Sequence, residues 1–480
     1  MARSHWLYLI VFVTLFPLGL LFPGCSDYGT TVIKNVHVVP MTTETVVRNQ
    51  TVLVKGDRIV EISASDSMAL PGGCTIIDGR GAYLVPSLAD MHIHTRDDWL
   101  SKTWPVSPLA LFLANGVTTI RDFGPKGKTK TFPLHWREEI SWRELDGPWI
   151  YASGEILYTS PADDAAGLVR RNQAQGFDFQ KIYSYVSPGD FKAAMTAAKE
   201  LKFYTAGHIP FQLGLAKTLF YGLDEIAHIE ELDFEFITFD RNKHLPAKQW
   251  LPYVVNQALQ QYDMSGGFNE RKFRARFDPT LSDIIQRIKA ADTPVCTTLS
   301  VGDTIVQKLF QSSWFRTRPE SKYIPKAYWQ AFKQGREKHQ LQFRGVESLA
   351  LFKYELEKLL LRELHRAGIT LVLSTDCGTG RMGIVPGFSI HDELRILVDN
   401  GLSPYEALAT GTSNAAKVVE RMGKRGDFGI IAVGKRADLV MVNGNPLENI
   451  SAMKNIQGVM AAGIWYDKAK LDEMTTLRGK

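Results

Sequence analysis

The chain has 480 residues, too many for one small core, so length favours roughly two to three domains or one large barrel with an attachment. Hydrophobic residues make up 45% and charged residues 22%, with no low-complexity tract, which excludes a disordered or fibrous protein. A net charge of +5 is small for this length, and lysine and arginine are interleaved with acids, so no nucleic-acid footprint stands out.

The N-terminus comes first and stands apart. Arg3 precedes an uncharged apolar run from Trp6 to Phe22, closed by Pro23, Gly24 and Cys25, which is the form of a secretory signal. Residues 1–25 are set aside as a signal peptide; because the run is about as long as the shortest membrane span, an uncleaved anchor helix is the alternative. The stretch Leu20 to Cys25 resembles a bacterial lipoprotein signal, with Phe22 and Pro23 where leucine and a small residue are usual. That resemblance implies export, lipidation of Cys25, membrane contact through the lipid, and a place in the cell envelope at the periplasmic face or outer membrane. Cys74, Cys296 and Cys377 are odd in number and far apart and give no disulfide framework.

From Thr31 to Asp78 the pattern is all strand: Val32–Val39, then Thr51–Val54, a turn at Lys55–Arg58, and Ile59–Ile62, which reads as a hairpin. The far end reads alike, with strands at Asp438–Val442 and Val459–Trp465. Neither end buries a sheet face alone. The expectation is that residues 26–84 and 427–480 pair into one small β-sandwich, the chain leaving at about 85 and returning at about 427.

Residues 85–426 change to strand followed by helix. Strands are expected at Leu84–Thr95, Val117–Asp122, Trp149–Ser153, Phe179–Tyr183, Phe203–His208, Asp224–His228, Pro294–Thr298 and Thr370–Asp376. Helical periodicity runs over Phe191–Leu201, Trp250–Tyr262 and Val346–Leu364. Eight short apolar strands alternating with helices predict an α/β fold, a (β/α)8 TIM barrel with insertions. A doubly wound sheet is the rival, and it would want a glycine-rich phosphate loop after its first strand.

A barrel places chemistry at the C-terminal ends of its strands. His92 and His94, one residue apart on an extended strand, point the same way and offer two metal ligands, although such a pair alone also occurs as packing. Lys181 lies late on the fourth strand, His208 ends the fifth, His228 the sixth and Asp376 the eighth. Four histidines, a lysine and an aspartate aimed at one mouth are a costly concentration of polar groups without a metal. Tyr183 and Tyr185 flank the lysine and suit a substrate carboxylate or an oxyanion, or simply packing. His391 reads as a cap or surface residue with some chance of touching substrate. Arg316, Arg318, Lys322 and Lys326, near Trp314, Phe315 and Tyr323, read as a solvated helix face ahead of a carboxylate-binding lid.

Asp90-Met-His-Ile-His94, Gln180–Tyr183, Gly207-His208, Ala227-His228, Ser374-Thr-Asp376, Gly411–Ala416 and Gly434–Val440 together resemble the amidohydrolase superfamily. Within it they resemble the binuclear, prolidase-like and imidazolonepropionase-like branch, over roughly residues 30 to 467. The resemblance implies two divalent ions, zinc by preference, although histidine with carboxylate also suits Mn, Fe or Co. His92, His94 and Asp376 would hold one ion, His208 and His228 the other, and a carboxylated Lys181 would bridge them. Asp376 would be the catalytic acid and base, and the reaction hydrolysis of a C–N bond in an amide, peptide or cyclic amide of a small or dipeptide-like substrate. A mononuclear deaminase, a lactone or phosphoester hydrolase, and a non-enzymatic binding protein are the alternatives, and a homo-oligomer is open.

Overall fold

The computed structural model describes residues 29–65, 67–159, 164–263, 267–311, 313, 317–342, 347–378 and 382–478. The signal expected over 1–25, and Trp314, Phe315 and Arg316, lie outside the described residues.

In chain order, β1 (Thr30–Val38), β2 (Val47–Lys55), β3 (Arg58–Ala64), β4 (Thr75–Asp78) and β5 (Tyr83–Pro86) come first. Next are β6 (Leu88–Ile93), β7 (Val117–Asp122), β8 (Trp149–Ala152), β9 (Leu157–Thr159), β10 (Phe179–Tyr185), β11 (Tyr204–Gly207), β12 (Glu225–Ile226), β13 (Val295–Cys296) and β14 (Leu371–Val372). The chain closes with β15 (Leu439–Val442), β16 (Ile456–Ala461) and β17 (Ile464–Asp467).

The two ends of the chain pair with each other in one eight-stranded sheet ordered β17-β16-β15-β5-β1-β2-β3, with β4 beside β1. The seam is β5 antiparallel to β15, from Pro86 opposite Leu439 to Tyr83 opposite Val442. Ile33, Val52, Val54, Leu84, Leu439, Met441 and Met460 form one buried cluster along this sheet. The hairpin turn at Gly56 (φ +63°) is where the sequence places it. The single strand expected over Val459–Trp465 is two: the chain turns back at Ala462 and Gly463, both at positive φ, and Ala461 pairs with Ile464. The turn is held by the Gly463 amide on the Ala437 carbonyl.

Between the ends lie two parallel sheets, β6-β7-β8 and β9 through β14. Backbone bridges join their edges, Ser153 with Phe179 and Ile93 with Cys377. The Met91 amide also donates to the Leu373 carbonyl at 2.9 Å, and the Asp376 amide to the His92 carbonyl at 2.8 Å. These strands are buried on both faces, which is why they read as near-continuous apolar runs. The short β9, beside β10, was not legible in the sequence. The expected helices correspond to Pro188–Leu201, Ala247–Gln261 and Ser348–Arg366.

Side chains inside the parallel strands stack in layers. At one level Arg121 donates from Nε to the Met91 carbonyl at 2.8 Å and from Nη1 to Glu225 Oε2 at 2.8 Å. Tyr204 Oη (2.9 Å) and Cys296 Sγ (2.9 Å) donate to the same carboxylate. Phe123 and Phe179 cover the guanidinium, with Arg121 4.7 Å and 5.4 Å from the ring centroids. Lys181 Nζ lies on Phe123, 4.7 Å from its centroid, so the aromatic layer separates the ion pair from the layer that carries the candidate ligands.

Candidate metal centre

His92 and His94 sit at the end of β6 with their imidazoles held from behind. His92 Nδ1 bonds the Ala227 carbonyl at 3.1 Å and His94 Nδ1 the Gly124 carbonyl at 2.9 Å. A carbonyl only accepts, so each ring carries its proton on Nδ1 and presents Nε2 as a lone pair. Both Nε2 atoms approach Asp376 Oδ1, at 3.7 Å and 3.2 Å. These three residues form a group able to hold a cation, their ligand atoms lying within 4.8 Å of one another.

Asp376 stands in the left-handed region (φ +54°), strained for a non-glycine residue. Thr375 clamps that turn by donating its amide (3.1 Å) and hydroxyl (2.6 Å) to Asp90. Just beyond, Gly378 has φ +94°, and a Cβ there would meet the His94 carbonyl oxygen at 1.8 Å, so only glycine lets the two segments pass.

His208 follows β11. A Cβ on Gly207 would meet the Ile182 carbonyl oxygen at 2.2 Å, which explains the Gly-His pair: the glycine lets the strands close and brings the histidine beside Lys181. Glu231 holds His208 Nδ1 and also accepts the Ile209 amide at 2.9 Å. His228, following β12, places Nδ1 3.0 Å from Thr298 Oγ1. Ring centroids of His92 and His228 are 4.5 Å apart and those of His208 and His228 4.8 Å, so all four histidines converge with Asp376.

Lys181, the third residue of β10, is fully buried and its Nζ has no hydrogen-bond partner. Burial lowers its pKa to about 7, with Asp376 pulling it back up. Burial, helped by the Lys181 charge, holds His92 and His208 well below the ordinary imidazole value; burial and His208 bring His228 to about 3. Burial raises Asp376, but its surroundings, His94 first and then His228 and Lys181, outweigh that and leave it below its usual value. Neutral imidazoles beside an ionised carboxylate are the ligand forms a divalent ion takes. His92 Nε2, Asp376 Oδ1 and Lys181 Nζ are buried without partners, so the donor set fits a cation.

Of the flanking residues, Tyr183 packs on His208 at 4.1 Å between centroids and on Tyr158 at 4.6 Å. Tyr185 joins Tyr158 and Phe211, and burial raises its phenol to about 12. His391 is neither cap nor surface: the helix Ser389–Asp399 buries it, and burial lowers it to about 3. The solvated face holds for Lys322 and Lys326, which are exposed. Arg318 departs from it, because its side chain is 8% exposed, donates to the Gly383 carbonyl at 2.9 Å and pairs with Glu320. Sequence reasoning missed Glu231, Thr298, Asp90 and Asp122. Glu231 was within reach, as an acid three residues past His228; Asp122, which accepts the Gly124 amide at 2.8 Å behind His94, was visible only as a strand-end acid.

The profile of the amidohydrolase family matches residues 357–465. A stretch of 90 residues is 34% identical to adenine deaminase 2 of Shouchella clausii (strain KSM-K16), covering 19% of this chain and 15% of that protein's length. Over nearly the whole chain the fold is similar to a candidate prolidase from Bifidobacterium longum, at 21% identity and TM-score 0.64, covering 94% of this chain and 98% of the other. It is also similar to a Xaa-Pro dipeptidase with methionine bound in its active site, at 18% identity and TM-score 0.62, covering 92% and 100%. The profile match falls on the segment that supplies Asp376 and the returning strands, and the fold likeness extends over the remainder.

Proposed function

We propose that this protein is a metal-dependent hydrolase of a C–N bond, a prolidase-like dipeptidase or amidase using two divalent ions, with zinc the first candidate. His92, His94 and Asp376 would hold one ion and His208 and His228 the other, with Lys181 as a shared ligand. The observation that carries the reading is the convergence of four histidines on Asp376 and on a buried lysine whose Nζ has no hydrogen-bond partner. The reading extends to the architecture. The two parallel sheets, bridged at both edges, are arcs of one (β/α)8 barrel over 85–426, and 26–84 with 427–480 make its small β-sandwich. Export and lipid anchoring through residues 1–25 belong to the same proposal.

The ions, when bound, supply Lewis acidity that polarises the scissile carbonyl and makes water ionise near neutral pH. The chain does the rest. Asp376, ionised and aimed into the site, accepts the proton of the attacking water and returns it to the leaving nitrogen. The backbone carbonyls behind His92 and His94 and the carboxylate behind His208 fix three imidazoles as ligands. Lys181, lowered toward neutrality, is an amine that could add carbon dioxide and lose a proton to give a carbamate, the anionic form in which it would serve as a ligand.

Metal analysis with a hydrolysis panel of N-acyl amino acids, dipeptides and cyclic amides tests the reading. Two ions per chain are expected, falling by at least one in His208→Ala and in His228→Ala while the fold survives. One ion per chain with ammonia released from adenine would replace it by the deaminase reading, which the local adenine deaminase match favours.

A further inference from the structure

The end of the molecule opposite the candidate metal centre carries Phe220, the most exposed large hydrophobic side chain among the described residues at 83%, and Trp142 at 63%. Each stands where a helix gives way to the next parallel strand. Trp142 follows the helix Phe132–Ser141 and precedes β8; Phe220 ends the helix Gly214–Phe220 and precedes β12. The histidines follow the other ends of the parallel strands, so both aromatic residues lie on the far side from them.

Cations run between the two. Phe220 lines a recess with Lys199, Lys202 and Arg421, and exposed Lys217 lies one helical turn before it. Beyond Arg421 the chain reaches Lys424 and Arg425, which line a second recess with Arg58 and with Arg143, the neighbour of Trp142. Asp292 pairs with Arg421, Asp178 with Lys424 at 3.1 Å, and Glu200 with Arg170 at 3.1 Å. Lys199, Lys202 and Lys217 are exposed and form no ion pair among the described residues. The chain also emerges on this side: Thr30, which opens β1, is opposite Lys55, and Lys55 is opposite Arg58. Cys25 is five residues earlier, and five residues fully extended reach at most about 18 Å. Single exposed apolar side chains are ordinary, but aromatic tips beside unpaired lysines suit a layer of lipid headgroups, which takes rings at its boundary and cations at its phosphates.

We propose that this face docks on the bilayer that holds the anchor. Phe220 and Trp142 dip into the headgroup layer, Lys199, Lys202 and Lys217 meet anionic lipid phosphates, and the metal centre opens away from the membrane. The proposal rests on the anchoring reading, which brings a bilayer within reach of Thr30, and adds to it a docked orientation.

The test uses the full chain in vesicles of phosphatidylethanolamine with phosphatidylglycerol, and in vesicles of phosphatidylcholine alone. A nitrobenzoxadiazole dye is attached through Ala216→Cys, Ser141→Cys or Lys322→Cys in a Cys74→Ser background, Cys296 and Cys377 being buried. Ala216 and Ser141 are exposed beside Phe220 and Trp142; Lys322 is exposed at the other end, where Tyr323 packs with Val106 and Val385. In the anionic vesicles the dye at 216 and at 141 should shift to the blue and be quenched by nitroxide-labelled lipid, and the dye at 322 should not. Phe220→Ser should abolish the shift at 216. Lys199→Gln with Lys202→Gln should lower the ratio of docked to free protein roughly 10- to 30-fold, as should phosphatidylcholine alone. Equal spectra at all three positions would overturn the docked orientation and leave the anchor standing. A shift present without vesicles and rising with protein concentration would assign the face to a second copy of the chain and overturn the lipid proposal. Mass spectrometry of the N-terminus reads the anchor separately. If no lipid is found, the anchoring reading fails by itself, and the same dyes on protein mixed with anionic vesicles decide the face: a shift at 216 and 141 supports it, and none overturns it.

Discussion

Lys181 separates the binuclear reading from its rivals, and it can be tested without any metal. Its pKa is about 7 in the folded protein, lowered mainly by burial, against 10.5 for the exposed side chain. Between those values the unfolded chain binds more protons, so the metal-free protein gains stability as pH rises from about 7 to 10.5 and loses it as pH falls. The gain is on the order of a few kcal/mol, and Lys181→Met, which has nothing to titrate, should lack it and be the more stable form at pH 7. Thermal unfolding of both proteins in chelator across that range is the measurement; identical pH profiles would mean that the amine is not held neutral. In the metal-loaded protein Lys181→Ala should lower metal content and rate by more than the roughly 10- to 100-fold of a residue that only supports a ligand. Added acetate should partly restore both, and Lys181→Arg should not be rescued, because its permanent charge fills the same space.

At the scale of elements, the strand ends were legible and the strand interiors were not. His92, His94, His208, His228 and Asp376 could be read because a run of β-branched and apolar residues that stops at a polar side chain marks its own end. Arg121 could not: it lies inside β7, in a stretch that reads as an ordinary strand with a charge near its end, and its partner Glu225 is 104 residues away. The same holds for Glu231 and Thr298, whose roles depend on which loop folds back over which histidine. The buried ion pair has a sharp consequence. Arg121→Met removes the counter-charge from a carboxylate that is 0% exposed, and should destabilise the protein by about 3–5 kcal/mol. Replacing both partners, Arg121→Met with Glu225→Leu, should recover part of that loss, since the uncompensated charge is gone while the Tyr204 hydroxyl and the Met91 carbonyl lose their partners. Denaturant midpoints of the single and double variants decide, and a double variant as unstable as the single would show that the pair holds strand geometry beyond its charge.

For the whole molecule, the question is whether the sheet built from both chain ends is a separate unit, and the packing argues that it is not. One continuous core cluster contains Val85 of β5, Val440 and Val442 of β15 and Ile456 and Val459 of β16 together with Leu88, Val117 and Ile150 of the parallel strands. The Ser87 amide donates to the Asp438 carbonyl at 3.0 Å, and the next residue begins β6, so β5 and the ligand strand are almost one extended segment. Arg58 of β3 pairs with Asp427 at 2.5 Å, and Arg436 reaches Thr119 of β7 at 3.2 Å, tying both ends to each other and to the parallel sheet. Near the C-terminus, Met474 and Leu477 pack with Val106, Leu111 and Tyr323. Cutting between these parts would strip Val440, Val442 and Val459 of cover on the side of the parallel strands, and each buried aliphatic side chain contributes roughly 1.5–3 kcal/mol. Residues 29–478 should therefore unfold in a single calorimetric transition whose calorimetric and van't Hoff enthalpies agree. A chain ending at residue 426 should fail to fold, because β5 loses β15 and the ligand strand loses its anchored start. Two resolved transitions, or a folded metal-binding product from the shortened chain, would show that the sheet is an appendage and that the parallel strands hold the histidines without it.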